Sequence, residues 1–247
     1  MPMDFDMAVI GGGAAGLTAA GLSASLGAKT ALIEECRLGG DCTWTGCVPS
    51  KALLKAATVA QSVRAADRYG LEASEPRFDF SKVMERVHKI QTAIFDEADA
   101  PPVYEKMGIE VIEGRAQFIS PGQVEVIGPG GGRRRFSSRF FVIATGGRPA
   151  IPPIEGLAVT PCLTSETVFS ISTLPAKMLV LGAGPVGIEM SQAFRRLGSE
   201  VTVLDSERCI LRRDDSELSA AATIANSPRS CFSTLRAKAS SSCWEAR

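Results

Sequence analysis

Cys42 and Cys47 have four residues between them and are followed by Pro49 and then by Lys51. On a regular helix, positions five apart have Cα atoms about 8.7 Å from each other, whereas a disulfide requires roughly 4.4–6.8 Å. If the two cysteines bond, the segment between them is irregular, with Gly46 supplying the conformational freedom. Pro49 suits the first turn of a helix that continues through Ala52, Leu53, Leu54 and Lys55. Cys47 then stands just ahead of a helix N-terminus, where the dipole and the Lys51 ammonium both favour a thiolate. A redox thiol pair fits this pattern best. Two alternatives carry less weight. A zinc site spaces its first pair closer and needs two more ligands, yet the only histidine is His88. A structural disulfide is unusual in a reducing compartment.

The elements that must position this pair begin ahead of it. Met7-Ala8-Val9-Ile10 is an apolar run of the kind used by a buried parallel strand. It leads into Gly11-Gly12-Gly13-Ala14-Ala15-Gly16, an alanine-rich helix to about Leu26, and a second strand ending at Glu34. This is G-x-G-x-x-G between strand and helix, with an acid at the end of the following strand. Gly11 permits the tight turn, Gly13 the approach of a pyrophosphate, and Gly16 close helix–strand packing. The N–H groups that open the helix, at Ala14 and Ala15, face the phosphates, and Glu34 can accept from a ribose hydroxyl.

The pattern returns in the second half of the chain. Met178-Leu179-Val180-Leu181 leads into Gly182-Ala183-Gly184-Pro185-Val186-Gly187, a helix, and the strand 201–205. At one constant offset Gly11 maps to Gly182, Gly13 to Gly184, Gly16 to Gly187, and Glu34 to Asp205. The acid therefore follows the last glycine at the same spacing in both copies. Two copies so matched predict a chain built to hold two dinucleotides. Asp205 suits the free 2′-hydroxyl of NAD and repels the extra phosphate of NADP, so NAD is favoured. Arg208, Arg212 and Arg213 follow closely and blunt that preference.

Between the fingerprints, residues 50–100 read as two helices. In the second, Phe80, Val83, Val87, Ile90 and Ile94 share one apolar face, and His88 reads as a solvated residue. Pro101-Pro102 interrupts the pattern. Strands are expected at 109–112 and 124–127, then a glycine-rich turn at 128–132 flanked by Arg133-Arg134-Arg135 on a solvated hairpin edge, and a buried strand at 140–144. The fold class predicted is α/β: two Rossmann-like FAD/NAD(P)-binding domains, each a parallel sheet with helices, plus a small antiparallel excursion, the second domain incomplete. The boundaries expected are 1–150, 151–219 and an aberrant tail at 220–247.

Lysine plus arginine equals aspartate plus glutamate at 27 each, so net charge directs the chain toward neither nucleic acid nor an anionic membrane. The acidic start runs straight into a strand, so no signal peptide is expected, and no apolar run reaches spanning length. Seven cysteines, five of them scattered singly, fit a cytoplasmic protein and not a disulfide-stapled one.

Two dinucleotide fingerprints, with a Cys-x₄-Cys helix start just after the first, resemble the class I pyridine nucleotide-disulfide oxidoreductases. These flavoprotein disulfide reductases include dihydrolipoyl dehydrogenase, glutathione reductase and mercuric reductase. Gly39-Gly40-Asp41-Cys42 through Cys47-Val48-Pro49-Ser50-Lys51 is close to that family's redox signature. The resemblance, from about residue 7 to about 217, implies that Gly11, Gly13, Ala14, Ala15, Gly16 and Glu34 hold the ADP half of FAD. Thr145-Gly146 would close on it, and Gly40, Asp41 and Cys42 would line the same cofactor. It implies that Cys47 lies against the flavin as the charge-transfer thiolate, and that Cys42 exchanges with substrate. Lys51 would sit near the reactive flavin nitrogen, paired with Glu189. Gly182, Gly184, Pro185, Val186, Gly187 and Asp205 would bind NAD(P)H, and no metal cofactor is implied. Electrons would pass from NAD(P)H to FAD to the Cys42–Cys47 disulfide and on to a small-molecule disulfide or a metal ion, in a homodimer concerned with cell redox homeostasis. Thr43-Trp44-Thr45 departs from the residues that the best-known branches carry there, which leaves the substrate open.

The family pattern stops short. Residues 220–247 lose periodicity and strand signal, and the stretch from Ser219 to Arg247 is rich in serine. The expectation is a premature stop or frame change near residue 220, and a truncated chain with little or no turnover of its own.

Overall fold

Six residues of nearly unbroken apolar character, Phe5–Ile10, form the central strand β1. The computed structural model describes residues 3–206, 210 and 211, and a strand at 234–236. After β1 come α1 (Ala14–Ser25), β2 (Thr30–Glu34), α2 (Gly40–Trp44), α3 (Cys47–Arg64), α4 (Phe80–Ile94) and α5 (Pro101–Glu105). Then follow β3 (Glu110–Glu113), β4 (Arg115–Ser120), β5 (Gln123–Ile127), β6 (Arg133–Ile143), β7 (Lys177–Leu181), α6 (Pro185–Leu197), β8 (Glu200–Asp205) and β9 (Thr234–Arg236). Packing divides the chain into one unit of Met1–Pro49 with Val87–Ser170 and another of Ser50–Arg86 with Ile171–Arg247. The division is discontinuous; the sequence reading expects boundaries after residues 150 and 219. Residues 50–86 group with the second fingerprint because Phe80 packs on Phe194, ring centroids 6.1 Å apart, and Arg64 Nη1 donates to the Arg196 carbonyl at 2.5 Å.

In the first unit the strand order is β3-β2-β1-β6-β5-β4. β1 runs parallel to β2 and β6, β2 runs parallel to β3, and β5 is antiparallel to both β6 and β4. The sheet is buried on two faces. Phe5, Ala8 and Ile10 join Ala31, Ile33, Val124, Val126 and Phe136 on one, while Val9 joins Leu17, Ala20, Leu32 and Ile109 on the other. A strand buried on both sides has no polar face to show, which is why β1 and β2 read as continuous apolar runs. Each fully buried Val, Leu or Ile contributes about 1.5–3 kcal/mol. The expected strands at 109–112 and 124–127 are β3 and β5. β4 was not foreseen, because its side chains are exposed at all but one position and carry no alternation.

The antiparallel hairpin brings three arginines over two acids. Glu125 is 5% exposed and accepts from Arg135 Nε at 2.7 Å and Arg133 Nη1 at 3.2 Å, while Arg134 pairs with Glu110. The guanidinium groups are solvated, as expected, but each is also paired. The Arg135 hydrogen bond, more than any other cause, holds the Glu125 carboxyl below its usual range. A carboxyl with a depressed folded pKa adds stability that is present above its unfolded pKa and is lost as pH falls through the folded value. Glu125→Gln is therefore expected to flatten the acid limb of stability against pH and to leave the neutral-to-alkaline slope unchanged. Urea midpoints of parent and variant across that range check it, and parallel curves would sink the idea.

α4 buries Phe80, Met84, Val87 and Gln91, with Val83 and Ile90 half-buried, so the expected apolar face is present except at Ile94, which is exposed. Its end widens into a π-helical turn, Phe95–Asp99, and Pro101 then opens α5, so the proline pair restarts a helix where the sequence reading has it break one. His88 is exposed, and its Nε2 also lies 2.8 Å from the Phe169 carbonyl, an anchor the sequence reading lacks.

In the second unit β7, β8 and β9 form a parallel sheet in that order, with Val203 opposite Thr234. β9 lies in the segment where the sequence shows no strand signal; the rest of the expected tail, and Arg208, Arg212 and Arg213, lie outside the described residues. Among the described residues no helix is long and apolar enough to cross a membrane.

Candidate active site

The first glycine loop is built by contacts that exclude side chains. Gly11 sits at φ 106°, and a Cβ there would lie 2.2 Å from the Ala144 carbonyl oxygen. A Cβ on Gly16 would lie 1.7 Å from the Gly11 carbonyl oxygen, so strand and helix touch backbone to backbone. Thr145 and Gly146 are exposed just beyond this contact, where the end of β6 crosses the loop and Ala144 N donates to the Ile10 carbonyl. α1 begins after Gly13 with no side-chain cap, which leaves first-turn N–H groups at exposed Ala14 and Ala15 available to an anion. Glu34 is drawn onto the loop: Oε2 accepts from Gly12 N at 2.6 Å and Oε1 from Cys36 N at 2.8 Å. A carboxylate so held keeps lone pairs for a ribose hydroxyl. These residues fit the ADP end of a dinucleotide.

The cysteine segment rests on that loop. Gly39 N donates to the Gly12 carbonyl at 2.8 Å, and a Cβ on Gly40, at φ 53°, would come within 2.6 Å of Gly13 Cα. α2 carries Asp41 and Cys42, the helix ends at Trp44, and Cys47 opens α3, one residue further into the helix than expected. Asp41 is exposed and its Oδ1 accepts from Thr45 Oγ1 at 3.1 Å. Gly46 does interrupt the helical path, but not through an unusual φ: a Cβ there would be 2.8 Å from the Asp41 carbonyl oxygen, so the residue is small to let the two helix ends meet. No disulfide joins the pair in this structure. Cys42 is half-buried and Cys47 exposed. Burial, then hydrogen bonding and charge from Cys47, then the Asp99 charge, push the Cys42 thiol up.

The second unit repeats the backbone conformation and hydrogen bonds of the first loop, although a Cβ on Gly182, unlike one on Gly11, would meet nothing within 4 Å. Gly182 has φ 105°, its N donates to Leu204 O as Gly11 N does to Ile33 O, both at 2.8 Å, and a Cβ on Gly187 would meet the Gly182 carbonyl oxygen at 2.1 Å. Asp205 Oδ2 accepts from Ala183 N at 2.5 Å, the counterpart of Glu34 with Gly12. α6 opens at Pro185 and Val186, both exposed, after an uncapped Gly184 that has nothing within 4 Å of its would-be Cβ. Leu211, which corresponds to Gly40, has the same left-handed φ (54° against 53°), a cost of roughly 1–2 kcal/mol for a residue with a side chain. Lys51 and Glu189 come together as expected: Nζ lies 2.6 Å from both carboxylate oxygens, with the side chains 61% and 38% exposed. A pair this solvated adds at most about 1 kcal/mol to stability.

Sequence reasoning missed Gly12, buried against Leu38 and Glu34, and it missed Thr43, Gln91 and Asp99 around the cysteine turn. The first could have been suspected from its place as the middle residue of Gly11-Gly12-Gly13. Gln91 and Asp99 come from a helix far along the chain and leave no local signal.

The family model described as pyridine nucleotide-disulphide oxidoreductase matches residues 5–226. Mercuric reductase of Streptomyces lividans is 36% identical over 219 residues, covering 87% of this chain and 45% of that protein. Dihydrolipoyl dehydrogenase of Bacillus subtilis (strain 168) is 34% identical over 232 residues, covering 89% of this chain and 48% of that protein. Among solved structures, the Cu(II) complex of a mutant of the HOCl-induced flavoprotein disulfide reductase RclA from Escherichia coli superposes with a TM-score of 0.76 and 27% identity, over 94% of this chain and 49% of that one. The chain spans about half the length of these relatives, or less. The family is FAD-dependent, with NAD(P)H as electron donor. The chain belongs to the pyridine nucleotide-disulphide oxidoreductase family.

Proposed function

We propose that the chain serves NAD(P)H-dependent reduction of a small-molecule disulfide or a metal ion, with FAD on the first fingerprint, NAD(P)H on the second, and Cys42–Cys47 as the redox disulfide. The observation that carries this reading is the seat of the cysteine segment: Gly40, just before Asp41 and Cys42, packs directly on Gly13 of the first loop. Nucleotide cradle and thiol pair are thereby one construction, as a relay between them requires. Bound FAD would supply the two-electron link between nicotinamide and disulfide. The protein's own part is to orient. Gly11, Gly13 and Gly16 admit the pyrophosphate, the N–H groups of Ala14 and Ala15 hold it, and Glu34 takes the ribose. Thr145 and Gly146 close the site, and Gly40 and Asp41 lead the chain from it to Cys42.

Cys47, at the N-terminus of an 18-residue helix, is the thiolate side of the pair, and Cys42 exchanges with substrate. Lys51, held by Glu189, supplies a positive charge one helical turn beyond Cys47 in sequence. Gly182, Gly184, Pro185, Val186, Gly187 and Asp205 receive the nicotinamide nucleotide. Asp205 favours NADH, since a carboxylate at the ribose repels a 2′-phosphate. The mercuric reductase and flavoprotein disulfide reductase relatives support a metal ion or a disulfide as the final acceptor. The test is the visible spectrum of the purified chain reconstituted with FAD, before and after anaerobic NADH. A protein-bound flavin band that bleaches, with a long-wavelength thiolate-to-flavin band growing in, is expected. Failure to retain FAD on gel filtration would refute the assignment of the first loop.

A further inference from the structure

Side chains that the redox chemistry above leaves unused converge on the turn between the two cysteines. Thr43, next to Cys42 and 3% exposed, donates from Oγ1 to Asp99 Oδ2 at 2.5 Å. Gln91, also buried, donates from Nε2 to the carbonyls of both Thr43 (3.1 Å) and Trp44 (2.7 Å). Those carbonyls end α2, where no intrahelical donor remains for them. Trp44 is fixed further by its Nε1 bond to the Leu38 carbonyl at 2.8 Å and by ring contact with Phe95 at 5.3 Å. Phe95 begins and Asp99 ends the π-helical turn, closed by Ala100 N to the Phe95 carbonyl at 2.8 Å, a feature concentrated at functional sites. Gly39 makes the space: a Cβ there would be 2.9 Å from Asp99 Oδ2 and 2.8 Å from Thr43 Cβ.

We propose that Asp99 is a positioning residue of the redox pair: through Thr43, and together with Gln91, it holds the turn between Cys42 and Cys47 in one geometry and sets a fixed negative charge on the Cys42 side. The proposal rests on the redox reading of the pair given above. Thiol–disulfide exchange depends both on thiolate fraction and on how well the two sulfurs are held for closure. Asp99 acts on both. Its charge adds to burial and to Cys47 in disfavouring a thiolate at Cys42. The other group it faces, the Tyr104 hydroxyl, is pushed up by burial and by Asp99 itself, so it stays neutral and adds no charge of its own.

Charge and geometry separate in two variants of the full chain, studied with no nucleotide added so that failure here is distinct from failure to bind FAD. Asp99→Asn keeps an acceptor for Thr43 and removes the charge. Alkylation of Cys42 by iodoacetamide, resolved from Cys47 by peptide mass spectrometry across a pH series, is expected to speed up about threefold at neutral pH, with Cys47 unchanged. Thr43→Val removes the hydrogen bond and keeps the charge. The equilibrium in which the dithiol and glutathione disulfide give the protein disulfide and two glutathione thiols is expected to shift about tenfold toward the dithiol, as closure loses preorganisation. Thr43→Ser should restore it. Equal acceleration of both cysteines in Asp99→Asn would overturn the proposal. So would a glutathione equilibrium that Thr43→Val leaves unmoved, or one that Thr43→Ser fails to rescue.

Discussion

Gly16→Ala is expected to prevent the first unit from folding. The added carbon would stand 1.7 Å from the Gly11 carbonyl oxygen and 2.9 Å from its carbon, both backbone atoms that no rotamer change can move. Gly11 cannot retreat, because its own α-position already faces the Ala144 carbonyl at a would-be 2.2 Å. Ordinary overpacking costs about 1–3 kcal/mol. Here the helix must leave the strand, and Val9, Leu17 and Leu32 lose their shared core. That loss approaches the whole of a domain's stability, about 5–15 kcal/mol. Gly21→Ala is the control: it lies in the same helix, and its Cβ would make ordinary contact with Met107 Cε at 3.5 Å. It should stabilise by roughly 0.5–1 kcal/mol, as replacing a mid-helix glycine does. Urea denaturation and limited proteolysis of both variants check the pair. A Gly16→Ala protein as resistant as the parent would mean that the helix rides further from the strand than these distances allow.

What could be read from the sequence was what local spacing encodes. Glycines at fixed offsets, an acid at the end of the next strand and a proline after the second cysteine are each defined within a short stretch of chain, and the structure seats them as spaced. The repeat even extends past the fingerprint to the left-handed backbone at Gly40 and Leu211, which composition conceals because one of the two is a leucine. The rest depends on residues that meet across long stretches of chain. β4 has no apolar alternation because almost all of it is exposed, so only its pairing with β5 makes it a strand. Glu125 looks like a surface acid until β6 folds back and places Arg133 and Arg135 beside it. Gly46 reads in the sequence as a source of freedom and is in fact a close-approach residue, a distinction only the position of the Asp41 carbonyl makes. Gln91 belongs to a helix whose apolar face is visible in the sequence, and Asp99 to the turn that ends it, but nothing in that periodicity says that these polar residues reach the cysteine turn.

Loss of either cysteine should abolish intramolecular disulfide chemistry, and the two losses should differ in a way that fixes the roles. In the parent chain, glutathione disulfide is expected to convert the Cys42 and Cys47 thiols to one internal disulfide with release of two glutathione thiols. In Cys42→Ser and in Cys47→Ser the reaction must stop at a mixed disulfide, with one glutathione thiol released and one glutathione retained on the protein. The structure leaves Cys47 the more exposed thiol and Cys42 half-buried, yet the family resemblance implies that Cys47 lies against the flavin, and the proposed function gives substrate exchange to Cys42. Both statements hold only if FAD covers Cys47 when it binds. Saturating FAD is therefore expected to slow alkylation of Cys47 in Cys42→Ser by at least about tenfold, as burying a reactive thiol does, and to leave Cys42 in Cys47→Ser nearly as reactive as before. Protection of Cys42 instead would reverse the two roles. Protection of neither, in a chain that demonstrably binds FAD, would separate the thiol pair from the cofactor and leave Cys42 and Cys47 as an independent dithiol on a nucleotide-binding scaffold.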